Sequence, residues 1–401
     1  MHLETSLTWA TVAASTAKGV MFSVSALFFS TVVGLSPATV GAGLTVAGIG
    51  AVATAFAAGG LCDRFGPRPV LLVAALAQGT ALAAYCLTHS AAGFVLVACV
   101  AIGTESVQRT AHVALLARAF TGADRVAVRA RLRVVDNVSI AAGSGAAAVA
   151  LAVGTRTAYT TAMLTAAALV LLAMVPLRTL PAYAEEAGTG SAVAGEGGGR
   201  SPLRDRRYLT ATALHALVSM QFLLLTVGMP LWVTGHTTAP DVTVALLLLL
   251  NTAIVTFFQV RATRLVQDVP SAGRAVFHGT ALLVAACLGY GAAGFPGPAG
   301  FAVTLLVLAV AAHSLGEIVS EAGGWELAFE WADPASSGAY QGVSQAGVAI
   351  GRAVAPVVVT STAVALGLPG WILLGGVFLA AGAGTRALSS GWWRGFSGRP
   401  W

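Results

Sequence analysis

A few ionisable residues stand deep inside apolar stretches of this chain, where charge is expensive. Lys18 lies in the first such stretch, Glu105, Arg109 and His112 in the fourth, and His313, Glu317 and Glu321 in the tenth. A charged side chain in hydrocarbon costs about 2.5–3.5 kcal/mol on insertion scales, and such residues face a bundle interior or a water-filled cavity. The chemistry open to them is ion pairing, proton binding and recognition of a polar solute. Glu105 and Arg109 are four apart and share a helix face, which His112 continues at i+7. His313, Glu317 and Glu321 step by four along another face. A carboxylate whose surroundings alternate between wet and dry binds and releases a proton in each cycle. That role is expected of Glu317 against the alternative of a fixed helix lock. For Glu105 the two readings stand even, because Arg109 offers a permanent partner. Glu321 reads as an interfacial or gate residue. Lys18 is the only lysine among 22 Lys and Arg residues. Its depth favours contact with Glu105, or with a substrate carboxylate or phosphate, over snorkelling to an interface. His112 and His313 offer either titration near neutral pH or a neutral polar lining.

The elements that must carry these residues follow from composition. Charged residues are 9% of the 401 and hydrophobic ones 57%, with a mean hydropathy of +0.82. A spanning helix needs about 20 mostly apolar residues. Such runs lie near 8–33, 39–59, 69–88, 92–117, 131–154, 157–177, 208–232, 240–260, 275–294, 298–322, 339–366 and 368–388. They predict an all-α membrane protein with twelve transmembrane helices. Barrel strands are excluded, because the runs are long and do not alternate. Basic residues collect in every second loop: Arg64 and Arg68, then Arg118 to Arg133, then Arg178 to Arg207, then Arg261 to Arg274, and last Arg394 and Arg399. In the other loops only Arg156 is basic. Positive charge marks the cytoplasmic side, so both termini are placed there. Residues 182–207 read as a flexible cytoplasmic linker, rich in Gly, Ala and Ser at its start. It separates an N-terminal six-helix half, 1–181, from a C-terminal half with a short tail, 208–401. Glu105 and Glu317 stand at matching places in the two halves, which suggests a duplicated unit.

Other classes find no support. The start, MHLETSLTWA, lacks a basic region, so no removable signal peptide is expected. Cys62, Cys86, Cys99 and Cys287 are scattered and show no metal spacing. No nucleophile–base pair stands out, so no enzyme is expected. The net charge of +6 is accounted for by the loops, without nucleic acid. Trp9, Trp232, Trp371, Trp392 and Trp393 fall near run ends, where interface anchors belong. Asp136 reads as part of the Arg-rich loop network, and Arg352 as a residue near the cytoplasmic mouth.

Three motifs carry a resemblance. The first is Gly59-Gly60-Leu61-Cys62-Asp63-Arg64-Phe65-Gly66-Pro67-Arg68-Pro69. It resembles the signature loop of the major facilitator superfamily, matched at Gly60, Asp63, Arg64, Gly66 and Arg68. In that family the Asp and Arg brace the inward-closed state. The second runs from Arg125 to Gly145, where Arg129, Arg133, Asn137 and Gly143 fit the family's fifth helix. Ser144 stands where the antiporter variant carries Pro. The third covers Gly316-Glu317-Ile318, Glu326 to Glu330 in the following loop, and Gly338-Ala339-Tyr340-Gln341-Gly342, continued by Gly347, Gly351 and Pro356. It resembles multidrug, proton-antiporter-like facilitators.

The resemblance implies that helices one, four, seven and ten line a central cavity, and the intramembrane charges fall independently in runs one, four and ten. His215 and Gln221 of run seven join Lys18, Arg109, His112, His313 and Glu321 as cavity candidates. Glu317 and Glu105 are the proton-coupling candidates, and the gating set is Gly60, Asp63, Arg64, Gly66, Arg68, Arg133 and Asn137. No Gly-rich loop ending in Gly-Lys-Ser/Thr is present, so an ion gradient must supply the energy. The expected function is a proton-coupled antiporter that exports a small organic, drug-like or metabolite molecule by alternating access. A symporter for an anionic or zwitterionic metabolite is the alternative, and a non-transporting scaffold or receptor the third reading. The expected partners are a small-molecule substrate, protons and the lipid bilayer, with no nucleic acid, no metal and no cofactor beyond the proton gradient. A monomer in the plasma membrane, the inner membrane of a prokaryote, is expected.

Overall fold

The computed structural model describes residues 2–179 and 201–390. Most of the expected linker, with Trp392, Trp393, Arg394 and Arg399, lies outside the described residues. Every long element is a helix: α1 (His2–Leu27), α2 (Pro37–Phe65), α3 (Pro67–Ala84), α4 (Ala91–Ala119), α5 (Ala123–Val153) and α6 (Arg156–Leu172). The second set is α7 (Arg206–Ser219), α8 (Val242–Ala262), α9 (Val269–Ala293), α10 (Ala299–Glu330), α11 (Ser337–Val359) and α12 (Leu368–Ser389). The path of α7 continues through Gln221–Leu223 and a widened turn at Leu224–Gly228 to Met229–His236. A similar wide turn, Thr360–Val364, follows α11 after Pro356.

Eleven helices among the described residues are long and apolar enough to cross a membrane. The first helix carries Glu4 in its first turn and Lys18 further along. Helices run past the apolar stretches at several ends. The Glu326–Glu330 segment, expected in a loop, is the last turn of α10. Arg206 and Arg207, placed in the linker, open α7 behind an Asp205 cap that accepts the Tyr208 N–H. Polar turns at a water interface cost little, so hydropathy alone ends these helices too early. Caps set several starts: Ser36 before α2, Ser90 before α4 and Thr155 before α6 each accept a first-turn N–H. At α9, Asp268 and Ser271 form a reciprocal capping box. The Ser271 hydrogen bonds hold the exposed Asp268 carboxyl below its ordinary range.

Contacts divide the chain into two units. One comprises Met1–Thr121, Arg131–Pro202 and Asp333–Ala346. Its core is aromatic at one end, where Phe29 meets Tyr85 at 4.9 Å and Phe94 at 4.5 Å between ring centroids. The backbones of α1 and α5 approach closely at Gly19 and Gly143, where an added Cβ would strike the Ile140 and Thr16 carbonyls. Small residues at such crossings are how helices pack in lipid, where van der Waals contact replaces the hydrophobic drive. The other unit comprises Gly122–Ala130, Leu203–Ala332 and Gly347–Trp401. In it α9 packs on both α10 and α12, and α8 packs on α10. Its core holds Trp232, Tyr290, Trp371 and Phe378. Trp232 and Trp371 are therefore core residues, 4% and 0% exposed, and not interface anchors. The Trp232 indole N–H donates to the Tyr290 carbonyl at 2.7 Å, which satisfies its polar edge internally. Large apolar side chains such as Leu96, Val149 and Phe257 point outward, each about two-thirds exposed, as lipid-facing residues do.

Candidate functional site

Ser106 and Thr110 fix the rotation of α4 against α2. Their hydroxyls donate to the Ala51 and Ala55 carbonyls at 2.7 and 3.3 Å. That face spent, Glu105 and Arg109 project about 100° around the helix. Arg109 donates to Glu105 Oε1 at 3.1 Å, and Lys18 Nζ from α1 lies 3.0 Å from the same oxygen. The three side chains are 29% (Lys18), 29% (Glu105) and 40% (Arg109) exposed, so the cluster is not sealed within its unit. Two cations share one carboxylate, which leaves the group with a surplus positive charge. Such a cluster suits an anionic group on a ligand. His112 lies half-buried two turns further along α4.

At the end of α2, Asp63 joins three partners. Arg118 donates to Oδ1 at 2.7 Å, the Gly338 N–H to Oδ1 at 2.8 Å and the Ala339 N–H to Oδ2 at 2.7 Å. A carboxylate on the free N–H groups of a helix start satisfies them and meets the positive end of the helix dipole. The Asp63 carboxylate therefore fastens the first turn of α11. Gly66 follows at φ 82°, where a side chain would be strained, and lets α3 begin at once with Pro67. Among the other signature residues, Arg64 is exposed over the Phe65 ring, and Arg68 donates to the Arg178 carbonyl. Gly60 meets nothing within 4 Å, and the close approach belongs to Gly59, whose added Cβ would come within 2.5 Å of the Gly338 carbonyl. On α5, Arg133 and Asn137 are half-buried. Asp136 accepts from Ser15 on α1, so it belongs to the α1–α5 contact and not to the Arg-rich loop. Ser144 donates to the Gly19 carbonyl at 3.1 Å, tying α5 to α1 where a proline would break the bond.

The second unit buries its polar residues along α10. Gly316 and Gly323 seat α10 against α9. That turns His313, Glu317, Ser320 and Glu321 into the interior, where the four are 0%, 4%, 0% and 4% exposed. Asn251 of α8 donates to Glu317 Oε2 at 3.3 Å and to Ser314 Oγ at 2.9 Å. The break in α7 brings Gln221 to Ser320 at 3.5 Å. His215 Nε2 stands 3.7 Å from Glu321 Oε1. His313 packs on Tyr290, with ring centroids 6.1 Å apart. The first turns of α5 also belong to this unit. There Arg125 pairs with Glu330, and Arg129 lies 4.7 Å over the Trp325 ring. Arg352 stacks over Phe222 at 4.6 Å.

The site residues thus fall into separate groups: Lys18, Glu105 and Arg109 in one unit, and His215, Gln221, His313, Glu317 and Glu321 in the other. Sequence reasoning missed Asn251, Arg118 and Tyr290. Asn251 had a signal, a lone amide in the run LLLLLNTAIV. No group of His, Cys, Asp and Glu able to hold a metal exists among the described residues.

Comparison with known proteins adds the family. No curated protein sequence matches the chain. Solved structures share the fold. The human organic anion transporter MFSD10 (TETRAN) superposes with a TM-score of 0.71 at 17% identity, over 96% of this chain and 99% of that one. The proton:xylose symporter XylE bound to 6-bromo-6-deoxy-D-glucose gives 0.69 at 14% identity, over 98% and 95%. A bacterial homologue of the iron transporter ferroportin, in an outward-facing state, gives 0.70 at 14%, over 98% and 100%. The Major Facilitator Superfamily profile matches residues 7–356. With its all-helical fold and its apolar helices, the chain is a multi-pass integral membrane protein of the Major Facilitator Superfamily, a superfamily of small-molecule transporters and not of enzymes.

Proposed function

We propose that the chain is a proton-coupled antiporter that exports a small organic molecule bearing an anionic group, with Glu317 as the proton carrier. The observation that carries this reading is the contrast between the two intramembrane carboxylates. Glu105 is clamped by Lys18 and Arg109 through one oxygen. Glu317 is buried at 4% exposure, and the Asn251 amide of α8 is one of the groups that hold it. Two cations on one oxygen oppose protonation of a carboxylate, whereas burial away from water favours it. The surplus cation of the Lys18–Arg109 pair is then free to meet a carboxylate or phosphate of the substrate. His112 extends that face of α4, and His215, Gln221, His313 and Glu321 are the candidates of the second unit.

In this reading α1 is the twelfth span, the halves 1–181 and 208–401 alternate around the linker 182–207, and both termini are cytoplasmic. The Asp63 cap on α11 breaks and reforms once per cycle, with Gly60, Arg64, Gly66, Arg68, Arg133 and Asn137 in supporting gating roles. The setting is the plasma membrane of a prokaryote, and the protein acts as a monomer. The basic loops support the orientation. A second reading, symport of an anionic metabolite, is favoured by the same two-cation cluster and by Ser144 in place of Pro. A growth panel of organic anions, zwitterions and lipophilic cations in a pump-deficient host tests the choice, with native protein and Glu317→Gln at matched expression. Protection by native protein that Glu317→Gln loses supports export. Sensitisation by native protein means uptake.

A further inference from the structure

In the second unit the start of α9 lies beside the end of α12. An added Cβ on Gly273 would strike Ser389 and come within 3.4 Å of Arg386 Cα. One on Gly382 would strike Thr280, and one on Gly375 would stand 3.5 Å from Cys287 Cβ. The two helices are therefore antiparallel and closely seated. The Arg386 guanidinium reaches across the seam and lies 5.1 Å over the Phe277 ring of α9. That contact orients the planar fork and leaves its N–H donors unused. Arg274 and His278 follow one turn apart on the adjoining face of α9.

All three side chains are exposed, and none is paired with a carboxylate or hydrogen-bonded to an acceptor among the described residues. Asp268, at the head of α9, is within electrostatic reach of Arg274, but its Oδ1 accepts the Ser271 N–H at 2.8 Å. Several other arginines have an internal acceptor: Arg118 has Asp63, Arg125 has Glu330, Arg131 has Glu4 and Arg261 has the Phe257 carbonyl. Further along the seam the exposed positions are mostly small. They are Ala281 and Ala285 on α9 and Ala383 and Gly376 on α12, with Leu379 at 37% exposure between them. Small residues let an apolar chain lie close against both backbones. An arginine that merely snorkels to the membrane surface needs no such track.

We propose that the α9–α12 seam binds one anionic phospholipid. Its phosphodiester accepts from the guanidinium groups of Arg274 and Arg386, with a ring N–H of His278 beside them, and an acyl chain runs along the small residues below. Charge and place select this partner. Guanidinium forks match phosphate oxygens, and two permanent positive charges favour a headgroup of net negative charge over a zwitterionic one, whose own cation they repel. The outward face of a membrane-embedded helix pair meets lipid before any soluble phosphate. The site is independent of the direction of transport and of the role of Glu317.

The full-length protein is delipidated in detergent and titrated with phosphatidylglycerol, phosphatidylcholine and soluble glycerol 3-phosphate, and bound molecules are counted by native mass spectrometry. One phosphatidylglycerol is expected to bind about tenfold more tightly than phosphatidylcholine, and glycerol 3-phosphate not at all at the same concentration. Arg274→Gln/Arg386→Gln is expected to erase that preference. Ala281→Trp keeps both charges, blocks the track and is expected to weaken phosphatidylglycerol binding about fivefold through lost chain contact. Arg261→Gln/Arg264→Gln removes the same charge at the end of α8 and is expected to change nothing. Equal losses in the two double variants would mean diffuse surface attraction and overturn the site. Equal affinity for the two lipids, equal affinity for glycerol 3-phosphate, or native binding in Ala281→Trp would overturn recognition of a lipid. If the Arg274→Gln/Arg386→Gln variant does not fold, Arg386→Gln alone, set against Arg261→Gln, decides by the same criteria.

Discussion

The Gly338 N–H donates to Asp63 Oδ1 at 2.8 Å, although 275 positions separate the two residues. Both sit in tight quarters, since a Cβ on Gly338 would come within 2.6 Å of that oxygen. The carboxylate also takes Ala339 N–H and Arg118, so one short side chain serves a helix end and an ion pair together. Replacing Asp63 with Ala leaves two helix N–H groups and a largely buried guanidinium without their acceptor. Loss of charge-assisted bonds of this kind costs about 1.5–3 kcal/mol each. Asp63→Ala is expected to lower the melting temperature in detergent, and Arg118→Ala to lower it less. A double-mutant cycle checks the pair: coupling of about 1 kcal/mol or more is expected, and strict additivity would remove the pair from the account.

The cation pair on Glu105 predicts asymmetry. Lys18→Met and Arg109→Met each remove one of two positive charges, and both should weaken binding of an anionic substrate about tenfold, the effect of roughly 1.4 kcal/mol. Glu105→Gln should leave gradient-driven transport in place and tighten binding of anions, because both cations lose their internal partner. Affinity of each variant for the anion identified in the growth panel checks this. Collapse of coupling in Glu105→Gln would move proton carriage to α4.

Asn251 is expected to position Glu317. Asn251→Leu removes the 3.3 Å bond to the carboxylate and the 2.9 Å bond to Ser314. The pH optimum of transport should shift, with substrate exchange retained. Asn251→Gln, which keeps the amide, should recover part of the native profile. An unchanged profile in Asn251→Leu would make the contact a packing detail.

The α1–α5 crossing gives a stability prediction. Gly19→Val and Gly143→Val each place carbon where carbonyl oxygens of the facing helix stand. Overpacking costs about 1–3 kcal/mol, and each substitution is expected to lower thermal stability by that order. Circular-dichroism melts in detergent read it directly, and a native melting curve in both would contradict the close approach.

Hydropathy made the helices legible, and their boundaries were less so. Apolar runs mark what lipid requires, whereas the last turns of α10 and the first of α7 lie where lipid sets no requirement. The ionisable residues of the site were visible because charge in an apolar run has few benign explanations. Their partners were not. Nothing local in Asp63 points to Gly338, and nothing in Tyr290 points to His313, since both relationships arise from helix packing between distant segments. Trp232 and Trp371 misled for a related reason. An indole near a run end fits an interface belt, and only the packed core shows that its N–H is turned inward. Gly59 and Gly60 were indistinguishable by type. Helix rotation decides that Gly59 touches α11 while Gly60 faces outward.

Glu317→Gln carries the central claim. Reconstituted native protein and the variant are compared in vesicles under an imposed pH gradient and, separately, in exchange of labelled substrate at equal pH on both sides, using the compound against which native protein protects cells. The account predicts that the variant loses gradient-driven accumulation and keeps exchange. Gradient-driven transport at the native level in Glu317→Gln would contradict it.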